Sequence, residues 1–75
     1  MSMNRKKVDE ILLPIKEGLP LHPSVTMSDK IVYAIELMVN NNLKSIAVVL
    51  NDRPIGRVCL EDALKKLGLR IPEKE

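Results

Sequence analysis

The sequence predicts a small α+β module with the element order β-α-β-β-α. Three observations lead there. Ser45 to Leu50 is an unbroken apolar run, and the turn chemistry of Asn51-Asp52-Arg53-Pro54 separates it from a second apolar run at Ile55 to Cys59. Stretches with apolar residues at helical spacing lie on both sides of this pair. Ahead of them all stands a short segment with two β-branched residues, Val25 and Thr26.

Residues 1–20 read as an N-terminal arm. Asn4-Arg5-Lys6-Lys7 is a basic, solvated cluster. Val8, Ile11, Leu12 and Leu13 fit one or two helical turns, which Pro14 stops. Pro14, Pro20 and Pro23, with Gly18 among them, then force an extended, turning path. Ser24 to Met27 is the first strand. Ser28 is expected to cap a helix running from Asp29 to about Asn41, with Asp29 at the positive end of its dipole.

Ile31, Ala34, Ile35 and Met38 make the apolar stripe of that helix, and Val32, Tyr33, Leu37 and Val39 lie beside or opposite it. Glu36 is the one charged residue from 31 to 39. A helix apolar on nearly all sides needs cover on nearly all sides. A chain of 75 residues has little material to supply it. A homodimer is therefore expected, with Val32, Leu37 and Val39, and Leu64 of the last helix, in the interface. Asn40-Asn41-Asn42 suits the helix exit, because asparagine tolerates the left-handed conformation.

Ser45 to Leu50 has no polar alternation after its first residue and should be buried on both faces. The short connection to Ile55–Cys59 makes an antiparallel hairpin. Gly56 within the second strand marks the close approach of backbone or ligand. The last helix runs from Leu60 or Glu61 to Leu67, with Leu60, Ala63, Leu64 and Leu67 as its stripe. Lys65 and Lys66 stand at its negative end, and Gly68 follows as the terminating glycine. Residues 70–75 are a tail, so the module itself occupies 21–69.

Composition narrows the function classes. Cys59 is the sole cysteine and His22 the sole histidine, which excludes an intrachain disulfide and a zinc site built from such ligands. No apolar run approaches the roughly 20 residues that span a bilayer, and no signal-peptide pattern is present, so the expected compartment is the cytoplasm. The net charge of +2 is too weak to argue for nucleic acid. Tyr33 is the one aromatic residue, so bases have no stacking platform, and no helix-turn-helix pattern exists. No nucleophile–base pair or phosphate-binding glycine loop suggests an enzyme.

The order and spacing of these pieces resemble a single CBS motif, the module named after cystathionine β-synthase. The resemblance covers roughly Leu21 to Leu69. It rests on Val25-Thr26, the helix with Ala34, the run Ile46-Ala47-Val48-Val49, the Asn51-Asp52 turn, Ile55-Gly56, and Asp62 six residues after the glycine. In Gly56-Arg57-Val58-Cys59-Leu60-Glu61-Asp62, Gly56, Val58 and Asp62 match the family pattern. Arg57 stands where an apolar residue is usual, and Cys59 where a hydroxyl is usual.

The resemblance implies a regulatory binding module rather than an enzyme. Such motifs work in pairs, so a single motif implies a second copy. The clefts between paired motifs hold adenosine ligands, here AMP, ADP, ATP or S-adenosylmethionine, with no cofactor required. On this reading Asp62 anchors the ribose diol. Thr26, Gly56, Arg57 and Cys59 border the ligand. Ile46 and Ala47, with His22 in the preceding loop, belong to the adenine region. Arg57 would neutralise phosphates. A second reading is a CBS-like dimerisation module that has lost its ligand, which Cys59 and Arg57 both favour.

Overall fold

The structure is a computed structural model and describes residues 6–68. A 3-10 turn at Val8–Ile11 is followed by strand β1 (Ser24–Val25) and helix α1 (Ile31–Asn40). Strands β2 (Ser45–Leu50) and β3 (Arg53–Cys59) come next, then helix α2 (Leu60–Lys66). The expected α+β order is thus present. The sheet runs β1-β2-β3, with β1 parallel and β3 antiparallel to the central β2.

Strand alternation gives the sheet two unlike faces. Val25, Ile46, Val48 and Val58 point to one side, where they form a core with Ile31, Ala34 and Met38 of α1 and Ala63 of α2. The opposite face carries Ser24, Ser45, Ala47, Val49, Arg57 and Cys59, which are in register across the strands. No helix among the described residues packs on that side. Ala47 is fully buried yet stands outside the helix-side core.

The expected helix start at Asp29 is corrected. Asp29 Oδ2 accepts a 2.9 Å hydrogen bond from the Thr26 amide, and the Asp29 amide donates to the Thr26 carbonyl at 3.1 Å. These two bonds close a turn, so the helix waits until Ile31. Ser28 does not cap it: Lys30 holds the cap position without a side-chain bond. The amide of Ile31 instead donates to the carbonyl of Lys6 at 2.9 Å. Backbone from the arm thus satisfies a donor that a helix start leaves free.

The helix exits follow expectation. Asn42 takes φ 60, and the Leu43 and Asn42 amides bond back to the Met38 and Val39 carbonyls, closing α1 in a Schellman motif. Gly68 takes φ 77 after α2, and its amide bonds to the Lys65 carbonyl.

The hairpin turns on Asn51 and Asp52, both at positive φ, as a two-residue connection requires. Strand β3 therefore starts at Arg53, two residues earlier than the turn chemistry suggested, with Pro54 inside it. Val49 pairs with Pro54 and Val48 with Gly56, which leaves Ile55 as a bulge. Double burial holds for Ile46, Ala47 and Val48 but not for Leu50, which is 52% exposed at the hairpin end.

The arm packs into the module. Val8 is fully buried, and its amide donates to the Asp29 carbonyl at 2.9 Å. Leu13 pairs with Arg57 on the outer side of β3. The Glu10 carboxylate lies 3.4 Å from the Lys66 ammonium, which ties the arm to α2.

Candidate functional site

Residues 14–23 lead from Leu13, beside β3, to Ser24 of β1 at the other edge of the sheet. At the hairpin end, Leu21 and His22 of this segment meet Ser24, Val49 and Asp52 around an open cavity of about 160 Å³. Small-molecule pockets usually span about 300–1,000 Å³. This one is too small to enclose a nucleotide unaided.

The expected ligand residues fall into separate places. His22 lines the cavity. Ala47 and Arg57 lie on the same sheet face, the one no helix covers, midway along the hairpin and directly opposite each other on adjacent strands, with Ala47 fully buried. Cys59 is half-buried at the far end, where it precedes α2 without capping it through its side chain. Asp62 stands half-buried in the first turn of α2, with no hydrogen bond or ion pair among the described residues. The cavity end and the α2 end of the hairpin are five residues apart along β2, from Ser45 to Leu50, which is about 17 Å of strand. One chain therefore does not gather Asp62 and His22 around one small ligand.

Ile46 belongs to the helix-side core, 1% exposed, so it and Ala47 do not share a wall. Thr26 is exposed in the turn before α1, its hydroxyl 3.2 Å from that of Ser28. Gly56 is buried, and the close approach there is made by backbone. A Cβ at this position would lie 2.5 Å from the Leu13 carbonyl oxygen and 2.6 Å from Leu12 Cδ1.

Arg57 is half-buried on this helix-free face. Its Nη1 donates to Cys59 Sγ at 3.5 Å, while its Nε is buried without a partner. Ser24, Val49 and Asp52 were not singled out from sequence. The signal for the first two was strand alternation, which sets them on the face opposite Val25 and Val48.

The expected interface residues lie elsewhere. Val32 and Leu37 are half-buried against the core, and Leu64 is half-buried on α2. Val39 is 60% exposed on the outer side of α1, where Tyr33 is also exposed. That surface faces away from the open sheet face. At 100° per residue Val32 and Val39 share one stripe, and Leu37 stands on the opposite flank.

Comparison with known families matches the CBS domain over residues 14–69. The chain belongs to the CBS domain family. No curated protein and no solved structure matches it. CBS domains are generally regulatory modules, often nucleotide-binding, rather than catalysts. In this CBS domain the matched span opens at Pro14, so the buried Val8 lies outside it. Among the described residues no group of three or more His, Cys, Asp or Glu gathers to hold a metal, and no helix is long and apolar enough to cross a membrane.

Proposed function

We propose that this CBS domain is a cytoplasmic regulatory module that binds an adenosine-containing ligand, AMP, ADP, ATP or S-adenosylmethionine, in a cleft completed by a second copy. It acts without a cofactor and without catalysis, and its partners are its own second copy and the small molecule, not nucleic acid. The incomplete cavity at Leu21, His22, Ser24, Val49 and Asp52 carries this reading. It is half-sized, open, and set on the sheet face that no helix covers. Two copies stacked on this face with strands antiparallel lay the α2 end of one hairpin over the cavity end of the other. Asp62 of the partner subunit then approaches the cavity, where a carboxylate accepts both hydroxyls of a ribose.

Thermal unfolding of the full chain with and without each of the four ligands tests the proposal. A ligand at 100 times its dissociation constant adds about 2.7 kcal/mol. For a domain of this size that raises the midpoint by roughly 10–20 °C. A rise with one of them names the ligand. A dimer that responds to none supports the second reading, a pairing module without ligand. That reading draws on Cys59, whose thiol is a weak substitute for a hydroxyl and already accepts from Arg57.

A further inference from the structure

The cavity has a fixed side and a loose side. Ser24, Val49 and Asp52 belong to the sheet and its hairpin turn, whereas Leu21 and His22 come from the segment that joins the arm to β1. That segment is held firmly at both ends. Leu13 exchanges two 2.9 Å hydrogen bonds with Arg57, and Ser24 pairs with Ala47. Between these anchors, residues 14–22 make no hydrogen bond to the rest of the chain among the described residues. The bond found there is internal, from the Leu19 amide to the Lys16 carbonyl at 3.4 Å. Every residue from 14 to 22 is exposed except Leu19, which is half-buried. Backbone of this kind, exposed and with few buried contacts, opens at little cost.

The segment is also longer than its path requires. Leu13, Arg57, Ala47 and Ser24 stand in register across the sheet, so Leu13 and Ser24 are three strand spacings, about 14 Å, apart. The ten residues between them extend to about 35 Å. This slack lets the segment rise without loosening either anchor. Gly18 lies in its middle at φ 84, and no atom stands within 4 Å of the place of a Cβ. The bend there depends on backbone conformation and not on packing.

We infer that residues 14–22 are a strap in equilibrium between the seated position and a lifted one, and that the ligand selects the lifted form. Seated, the strap closes the cavity to about 160 Å³, below the usual range for a small-molecule pocket. A second copy adds a further wall, but room between Leu21 and Val49 comes from lifting the strap. The ligand in this inference rests on the adenosine reading above, whereas the motion does not.

Relaxation-dispersion NMR on the full chain without ligand reads the motion. Microsecond-to-millisecond exchange is expected at the amides of Ile15 to Leu19, Leu21 and His22, with one shared rate, and at Val49 and Asp52 across the cavity. Gly18→Ala penalises the left-handed backbone of the seated form, so it should raise the lifted population about fivefold or more. Gly18→Asn, which tolerates that conformation, should stay near the wild type. Flat profiles in both the wild type and Gly18→Ala, or exchange at unrelated rates, overturn the strap. Titration calorimetry with AMP, ADP, ATP and S-adenosylmethionine then reads the selection. A ligand that selects the lifted form binds Gly18→Ala more tightly, by the factor by which the lifted population rises. An affinity changed less than twofold while that population rises overturns the selection and leaves the adenosine reading standing. If none of the four binds, the adenosine reading falls, and the relaxation profiles still uphold or overturn the strap.

Discussion

Leu13 and Arg57 exchange a pair of backbone hydrogen bonds, each 2.9 Å long. This one-residue ladder extends the sheet beyond β3 and brings the arm over Gly56. The glycine has no room for a side chain, because the Leu13 carbonyl oxygen occupies the place of a Cβ. Gly56→Ala must push the arm away from β3. Overpacking of this kind costs about 2 kcal/mol, and the thermal midpoint is expected to fall by about 8–16 °C. An unchanged midpoint would show that the arm contributes nothing to the fold.

Val8 tests the same arm from its other end. The side chain is fully buried and joins the core of the sheet and helices. Val8→Ala removes two carbons and leaves a void, at an expected cost of about 2–3 kcal/mol. A chain cut to the family-matched residues 14–69 loses Val8 and the Lys6 carbonyl together. It is expected to show no cooperative unfolding by far-ultraviolet circular dichroism, whereas cooperative melting near the full-length midpoint would count against an integral arm.

Glu10 gives the stability a dependence on pH. The Lys7 amide donates to its carboxylate at 3.2 Å and, with Lys66 beside it, holds the carboxyl below the usual value. A lowered folded value means that the stabilisation is complete above the usual carboxylate range. It is lost as pH falls through the lowered value. The wild type is therefore expected to lose more thermal stability than Glu10→Gln between pH 7 and pH 3. Parallel losses would remove Glu10 from the account.

Asp62→Ala should weaken adenosine-ligand binding. Removing a charged acceptor costs on the order of 1.5–3 kcal/mol, read as a tenfold to hundredfold rise in dissociation constant by calorimetry. Unchanged affinity would mean that the ribose is held by other groups.

Val39→Asp addresses the outer side of α1. Val39 is 60% exposed, so the substitution should leave the fold within about 0.5 kcal/mol of the wild type. Since this surface faces away from the helix-free sheet face, the proposed pair should persist while any larger assembly disappears in sedimentation velocity. An unaltered distribution of species would leave that surface without a part in assembly. Leu37→Glu is a poorer probe, because Leu37 packs against the core.

Local sequence was enough wherever local chemistry decides. The αL asparagine at 42, the terminating Gly68, the Asn51-Asp52 turn and the central run at Ser45–Leu50 all appear where their residue types placed them. The failures are long-range. Ser28 looked like a cap, but Asp29 closes the turn and a carbonyl from Lys6, far along the chain, takes the Ile31 amide. Gly56 announced a close approach without saying whose, and the answer is the arm. The candidate site was legible only in part. Spacing alone does not reveal that Asp62 and His22 stand at opposite ends of a hairpin, whereas the opposite directions of Ile46 and Ala47 follow from strand alternation and were legible in the predicted strand.

The contact between Glu10 and Lys66 has a consequence for how such a module is wired. It places the beginning and the end of the folded body side by side. A body of that shape fits between two neighbouring positions of a larger structure without prising them apart. Traction on the N-terminal arm bears on the buried Val8 anchor and on the two Leu13 hydrogen bonds to Arg57.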